Sequence, residues 1–457
     1  MKKFTVKPKT FFANEIIVGL QDKKAYPDKI LIGKLAESGG FAFVFNEATS
    51  EHVVAIFGKR GSGKSYTLGN IIEGFCTKRR ESPISKISKR KAILLFDTLG
   101  IYQWMNTPLR ESSSSKIMKS QISLQKKWNL KFEPLDILMF EPKQRKIFAP
   151  LTKRFEFTVN TSDLTSSDWG YLLGLDVYTD RMGQLLNDIY IKVTQDGWSN
   201  GRKRFKSIIN YSLDDMVNCL KNDKELLQIY HSETRRALLQ QLTTFSKNPL
   251  FQKDGTKLED LLKPGYSSVL LMHKISNDLR LIIVSSIIKK IIENRIEASE
   301  IEKHKIIAPE SELLKKNSNI KSYIPPCWVV IDEAQNILPS ERKNPASELL
   351  VKLVREGRNF GISFMFTTQQ PSAIDQRILA QVDTMIIHRL TVQQDIEYVK
   401  RNLKSALPDE IKYSGRKLSF YECLRLLDVG QALVSNTELD RAFLLNLRPR
   451  ISIHGGF

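Results

Sequence analysis

Gly58-Lys59-Arg60-Gly61-Ser62-Gly63-Lys64-Ser65 decides the fold of this chain. The spacing is that of a phosphate-binding loop, G-x-x-x-x-G-K-[ST]. The apolar run His52-Val53-Val54-Ala55-Ile56-Phe57 before it reads as a buried strand. Ser65 to Phe75 after it places apolar residues at helical spacing. Strand, glycine loop and helix are what the chemistry needs. The glycines let backbone N–H groups turn inward around a polyphosphate, and the helix N-terminus adds partial positive charge there. Lys64 is placed to reach the β- and γ-phosphates, and the Ser65 hydroxyl to sit on Mg²⁺.

Cys327-Trp328-Val329-Val330-Ile331-Asp332-Glu333-Ala334-Gln335 is the second signal, a buried strand ending on two carboxylates. Adjacent acids at a strand end are costly to desolvate without a purpose. With a phosphate loop in the same chain they read as a Walker B pair. Asp332 would hold Mg²⁺ through water, and Glu333 would orient or deprotonate the attacking water. Ala92 to Asp97 is a further apolar strand, and its terminal Asp97 either joins that site or caps the next turn. Asn344-Pro345 starts a helix that ends in Arg355-Glu356-Gly357-Arg358-Asn359-Phe360-Gly361. An arginine there suits the helix dipole, and it also suits a phosphate across a subunit boundary. Ile362 to Pro371 is a strand ending in Thr367-Thr368-Gln369-Gln370. These polar ends either sense a γ-phosphate or satisfy nearby backbone groups.

The formal net charge of +20 points to an anionic partner, most often nucleic acid. The apolar share of 41% leaves ample material for a core. The four cysteines are scattered with no C-x-x-C pair, which argues against a zinc ribbon or a disulfide framework and fits a reducing, cytoplasmic setting. The N-terminus has no signal-peptide run, and the apolar stretch Leu281–Ile288 is too short to span a bilayer. No integral membrane association is therefore expected.

Lys29–Leu35 and Gly40–Phe45 read as strands of a short N-terminal β segment. Lys78 to Lys91 reads as an exposed basic loop, and Ser112 to Lys131 as an exposed connector. Thr161 to Leu262 reads as a helical insertion, with Ser212 and Ser232 as N-caps and Asp215 completing a near capping box. Val269–His273 returns to the sheet, and a helix over 278–298 leads away from it. The polar stretch with Lys315–Asn319 reads as a loop. Thr384–Leu390, Gln431–Asn436 and Ala442–Ile453 read as further strands.

These elements in this order resemble the HerA-like ATPases of the HerA/FtsK superfamily. The resemblance rests on the P-loop followed by Ser-Tyr-Thr and on the Asp-Glu-Ala-Gln strand end. It rests also on Arg-Glu-Gly-Arg-Asn-Phe-Gly leading into Thr-Thr-Gln-Gln-Pro-Ser, and on the terminal Arg-Pro-Arg-Ile-Ser-Ile-His-Gly-Gly. It implies an α/β, RecA-like P-loop NTPase with a mostly parallel central sheet and a helical insertion. The implied organisation is a β segment over 1–50, a core in two parts (51–160 and 263–457), and the insertion over 161–262.

The implied cofactors are ATP and Mg²⁺. The nucleotide-binding set is Gly58, Arg60, Gly61, Ser62, Gly63, Lys64, Ser65 and Tyr66, with Ser65 and Asp332 on the metal. Glu333 is the implied catalytic carboxylate, Arg358 the trans-acting arginine finger and Gln369 the sensor amide. The implied activity is ATP hydrolysis coupled to movement along double-stranded DNA by a hexameric ring. The implied partner is a nuclease, NurA-like, sirtuin-like or other, in DNA-end processing or anti-phage defence. Archaeal repair members carry a longer N-terminal β-barrel than the segment here, which tilts the expectation towards a defence-type member. A scaffold for an effector, or a conjugation- or secretion-type transport ATPase, is the alternative. In such rings the loops after the two catalytic strands face the channel, so Arg342, Lys343 and Arg377 are the expected DNA contacts, with Lys78 to Lys91 next in line.

Overall fold

The computed structural model of the chain describes residues 15–19, 28–36, 43–48, 50–79, 81–88, 90–110, 115–144, 153–307, 323–341, 343–407, 411–413, 416–439 and 441–456. Gly40 to Ala42, Ser112 to Ser114, the Lys315–Asn319 stretch and Arg342 lie outside them. The chain divides into two compact units. The first joins residues 1–139, 261–273 and 291–457, and the second joins 140–260 and 274–290.

In the first unit the P-loop strand Val53–Phe57 sits inside a sheet built from distant parts of the chain. Parallel neighbours run in the order Thr384–Ile387, Val53–Phe57, Ile362–Thr368, Cys327–Ile331, Ala92–Asp97 and Ser267–Leu271. Their residues are buried almost throughout, because helices cover both faces of a parallel sheet. Each large apolar side chain removed from water there contributes roughly 1.5–3 kcal/mol. All these strands point their C-terminal ends the same way, so the P-loop, Asp97, Asp332-Glu333, Gln369 and His388 end on one edge. This is the mostly parallel α/β, RecA-like sheet, with one strand between the P-loop strand and the Asp-Glu strand.

Beyond Thr384–Ile387 the sheet turns antiparallel through Gln431–Asn436, Phe443–Leu447 and Lys29–Leu35. The N-terminal strands Phe43–Glu47 and Glu15–Val18 complete that flank. Too short for a core of its own, the N-terminal segment extends this one.

Several local expectations change. Lys78 to Lys91 is not a free loop. Glu81–Ser82 and Ser85–Lys86 form a small hairpin that pairs with Lys29–Leu35 and buries Ile84 and Ile87. The expected exposed connector contains a helix, Lys116–Lys127, capped by the Ser115 hydroxyl and burying Gln121 and Gln125. The last strand stops at Leu447, because Arg448 to Ser452 turns aside to bind the P-loop helix.

In the second unit, helices Ser166–Leu173, Arg181–Ile191, Leu213–Asn222, Lys224–Ile229 and Ser232–Ser246 pack around Trp169, Leu186, Met216 and Leu238. Ser212 caps its helix and forms a capping box with Asp215. Ser232 does not cap: it is already helical, and His231 stands at the cap position without a side-chain bond. The stretch is not wholly helical either, since Trp198–Ser199 pairs with Arg204–Phe205 and Val159–Asn160 with Phe251–Gln252. The helix expected over 278–298 runs from Asn277 to Ile307. No described helix is long and apolar enough to cross a membrane.

Candidate functional site

The helix that follows the P-loop, Lys64–Cys76, begins without a cap. Gly63 holds the N-cap position at φ 109°, a left-handed conformation that favours glycine, and no acidic side chain enters the first turn. Other helices of the chain close their N-termini with capping boxes, at Thr165/Asp168, Ser212/Asp215, Asn344/Ser347 and Ser419/Glu422. A helix start left open leaves N–H donors and the dipole for an anion.

Around that start the side chains converge from separate strands. Lys64 Nζ lies 3.8 Å from Glu333 Oε1. The Ser65 hydroxyl reaches both oxygens of Asp332, at 3.3 and 3.4 Å. Gln369 donates to Glu333 Oε1 at 2.8 Å, and Gln335 to Oε2 at 2.7 Å. Thr367 stands between the acids: its hydroxyl donates to Asp332 Oδ1 and accepts from the Glu333 amide at 3.0 Å. Glu333 itself has φ 54°, an uncommon conformation for a residue with a side chain that costs of order 1–3 kcal/mol. The surrounding bonds hold it there.

Burial governs the charges. Asp332 is pushed up to about 7 by desolvation, with Glu333 and Asp97 adding to the rise while Thr367 and Lys64 oppose it. Desolvation also lowers the Lys64 pKa, against the pull of Glu333 and Asp332. A buried acid and amine held at that tension gain from a divalent cation and a polyphosphate, which supply the missing counter-charges. The donor set suits Mg²⁺. It offers one hydroxyl and one carboxylate, leaving the other positions to phosphate and water. Among the described residues there is no cluster of three or more His, Cys, Asp or Glu that could hold a metal without such help.

Of these groups Lys64, Ser65, Glu333 and Gln369 line a cavity of about 600 Å³, together with Arg60, Gly61, Gly63 and Tyr66. Leu99, Ile101, Leu124, Trp128, Val429 and Pro449 add apolar surface to its lining. Polar groups for phosphates and apolar surface for a flat base are the combination a nucleotide needs. Gly58 and Ser62 shape the loop from behind: the Ser62 hydroxyl donates to the Lys59 carbonyl at 2.7 Å.

Asp97 stays out of this chemistry. Its carboxylate accepts backbone N–H bonds from Leu99, Gly100, Ile101 and Tyr102, at 2.7 to 3.3 Å. It caps the turn that carries Leu99 and Ile101 to the cavity. Arg358 is not in the cavity either. It lies exposed in the turn Gly357–Phe360, before the first residue of strand Ile362–Thr368, while Gln369 follows the last. Seven strand residues span roughly 20 Å, so Arg358 stands at the edge of the sheet opposite the P-loop of its own chain. Nearby stand His52, Gln381 and Asp383, and among the described residues Arg358 makes no ion pair.

The expected channel cations are engaged. Arg377 is held by Glu348 at 2.8 and 3.1 Å and by Asp375 at 2.7 to 3.2 Å. Lys343 pairs with Glu348 at 3.4 Å, and Arg342 lies outside the described residues. Arg377 and Lys343 bring Glu348 down to about 2.

Several contributors carry no motif. His388, at the end of a neighbouring strand, packs against the loop with Nε2 2.9 Å from the Thr67 hydroxyl. Burial and the Lys64 charge push its pKa down to about 3, so it is neutral. The tail binds the back of the P-loop helix. Glu73, fully buried, takes Arg448 at 3.0 Å, Arg450 at 3.1 Å and the Ser452 hydroxyl at 2.6 Å. Gly69 makes room, since a Cβ there would stand 2.7 Å from the Arg450 guanidinium. The only sequence signal was the tail motif itself, and spacing alone assigns it no partner.

Fold and site together define a P-loop protein of the RecA-like class. The chain belongs to the HerA family: the family described as "Helicase HerA, central domain" matches residues 30–291, more than half of it. A second family, zonular occludens toxin, matches residues 279–413. The chain is similar to the DNA double-strand break repair helicase HerA of Pyrococcus furiosus, 25% identical over 255 residues, which cover 53% of this chain and 43% of that protein. It is also similar to the probable helicase MJECL08 of Methanocaldococcus jannaschii, 22% identical over 418 residues, covering 90% and 68%. The match thus spans less than half of the Pyrococcus protein. Among solved structures, VirB4 of Thermoanaerobacter pseudethanolicus aligns with a TM-score of 0.49 at 10% identity, covering 92% of this chain and 96% of that one. The plasmid coupling protein TrwB with ADP and Mg²⁺ aligns at 0.47 and 12%, covering 94% and 97%.

Proposed function

We propose that this chain is an ATPase that moves along duplex DNA as one subunit of a ring. The observation that carries the reading is the convergence of an open helix N-terminus, Lys64, Ser65-Asp332 and an amide-held Glu333 on one cavity. Bound ATP supplies the phosphoanhydride, and Mg²⁺ its charge neutralisation. Lys64 and the P-loop amides hold the phosphates, and Arg60 and Tyr66 flank them. Ser65 and Asp332 would hold the metal. Glu333 takes a proton from the attacking water, with Gln369 and Gln335 fixing its two oxygens in line. The deciding measurement is ATPase rate with and without linear duplex DNA. Stimulation is expected, and an enzyme indifferent to duplex would end the motor reading.

Arg358 completes the site from the neighbouring subunit, since it stands at the sheet edge opposite its own P-loop. Arg358→Ala is expected to bind ATP and hydrolyse it poorly. Mixed with Lys64→Ala subunits, it should regain activity at mixed interfaces, where each variant supplies what the other lacks. Mixed rings that never exceed the sum of the parents would sink the trans assignment.

Thr367→Val keeps the volume and deletes both hydrogen bonds that space the two acids. The Glu333 N–H becomes an unpaired buried donor, which costs about 1–3 kcal/mol. We expect roughly tenfold slower turnover and a higher Mg²⁺ requirement, with ATP binding kept, in a Mg²⁺ titration of the rate. An unchanged titration curve would remove Thr367 from the metal site.

The ring is also proposed to work with a partner nuclease, in DNA-end processing or anti-phage defence. Co-purification from the native host with mass spectrometry tests this, and repeated recovery without any nuclease would overturn it.

A further inference from the structure

If the chain grips DNA, its phosphates must meet cations that are not already neutralised. A cation bound to a protein carboxylate gains little from a phosphate and releases few counterions. Arg377 and Lys343 are bound in this way. So is much of the Lys78 to Lys91 segment: Lys78 and Arg90 pair with Asp136, Arg79 with Glu133, and Lys91 with Glu51.

A different element has the opposite character. In the second unit, Trp198–Ser199 and Arg204–Phe205 form an antiparallel hairpin with its tip at Asn200–Lys203. Trp198 to Lys206 contains Arg202, Lys203, Arg204 and Lys206 and no acid. All four are exposed, and among the described residues none makes an ion pair. Lys224 lies beside the tip, its Cδ near Gly201. The nearby acids Asp223 and Glu225 are both taken by Lys192, at 3.6 and 2.6 Å, while Asp196 precedes the hairpin.

The tip is stiff. The Asn200 side chain accepts from the amides of Arg202 and Lys203 at 3.0 and 2.8 Å. Ser199 N–H donates to Asp223 at 3.1 Å, tying the hairpin to the helix that follows. Trp198 and Phe205 stack with centroids 3.9 Å apart and planes 11° off parallel. Two-residue strands would not hold alone. The stack and the Asp223 bond make the hairpin a fixed mount for its cations, and fixed cations lose less entropy on binding.

We propose that this hairpin is a contact site for the phosphodiester backbone of duplex DNA. The inference rests on the DNA-motor reading above and places a phosphate contact that the channel loops do not supply. Duplex is favoured over single strand because the aromatic pair is engaged: Trp198 is buried and stacked on Phe205, and Lys203 Nζ lies over the Phe205 ring, 5.3 Å from its centroid. Phosphate contacts carry no base information, so binding here is indifferent to sequence.

The test uses the full chain and a fluorescent linear duplex, with anisotropy followed across a salt series. In Arg202→Gln/Lys203→Gln/Arg204→Gln, the slope of log affinity against log salt should fall by about two to three units, near 0.9 per lost contact. Affinity at ~0.1 M salt should fall at least about tenfold. DNA-independent ATPase should not change, which also shows that the variant is folded. Arg202→Lys/Arg204→Lys keeps the charge and should keep the slope. Lys303→Gln/Lys305→Gln removes exposed cations elsewhere and should leave it nearly unchanged. If wild type binds duplex and the triple variant matches it in slope and affinity, the hairpin is not the site and the motor reading stands. An equal loss in the Lys303/Lys305 control also overturns it, as a general charge effect. If wild type neither binds duplex nor responds to it in ATPase rate, the motor reading and this inference fall together.

Discussion

Replacing Glu333 by glutamine is expected to slow ATP turnover by at least about 10²-fold while leaving ATP binding intact, the loss typical of a general acid/base group. The geometry explains why so small a change should cost so much. Glu333 is reached by the amides of Gln369 and Gln335, one on each carboxylate oxygen, and by the Lys64 ammonium at 3.8 Å. A carboxylate accepts from all of these donors. A glutamine has one oxygen, so its NH₂ must face one of the donors, and it cannot take a proton from water. Phosphate contacts through the open helix N-terminus do not involve position 333 and should survive. Equilibrium binding of a fluorescent ATP analogue and steady-state turnover would be measured on the same preparation. Turnover near the wild-type rate would remove Glu333 from the proposed catalytic role, whatever its position.

The second large effect concerns stability. Glu73 is fully buried with Arg448 and Arg450, both also fully buried. Its two oxygens take both guanidinium groups, the Ser452 hydroxyl and the amides of Ile451 and Ser452. Glu73→Gln leaves two buried cations without their counter-charge. Breaking one partner of a buried ionic network costs about 3–5 kcal/mol, far more than the intact network contributes over an apolar equivalent. Urea unfolding of the variant should show a loss of that size, and a change below about 1 kcal/mol would mean the tail can leave the helix at little cost.

The same network sets a pH dependence. Burial alone would raise the Glu73 pKa, but Arg450 and Arg448 outweigh it and hold the pKa below the usual 4.5. A carboxylate whose pKa is lower folded than unfolded contributes stability above its unfolded value, and loses it as pH falls through the folded one. Wild type should therefore lose this contribution below about pH 4.5, and the Glu73→Gln variant should lack that component of acid sensitivity.

How much of this was legible in the sequence follows from how local each cause is. Lys64, Ser65, Asp332 and Glu333 were legible because phosphate and metal chemistry demands given residue types at fixed spacing on a strand end. The parallel strands were legible as unbroken apolar runs, since both their faces are buried. The Lys116–Lys127 helix was not, because its polar, lysine-rich sequence hides that the side it buries is made of Gln121 and Gln125. Asp97 was open to two readings in sequence, and the turn that closes on it decided between them.

What the sequence by itself determined is the chemistry of the cavity: a phosphate loop, a carboxylate pair and the apolar strands that carry them. These are set by neighbours within a few residues, so the chain states them locally. What only the tertiary structure decided is which charges are free and which are spent. Arg377 and Lys343 look available in sequence and are neutralised by Glu348 and Asp375. Arg448 and Arg450 stand in a tail motif whose spacing assigns no partner, and are buried on Glu73, 375 and 377 residues away. Arg202, Lys203, Arg204 and Lys206 carry no sequence motif and make no ion pair among the described residues. A charge depends on everything within several ångströms, from any part of the chain, and no spacing in the sequence encodes that.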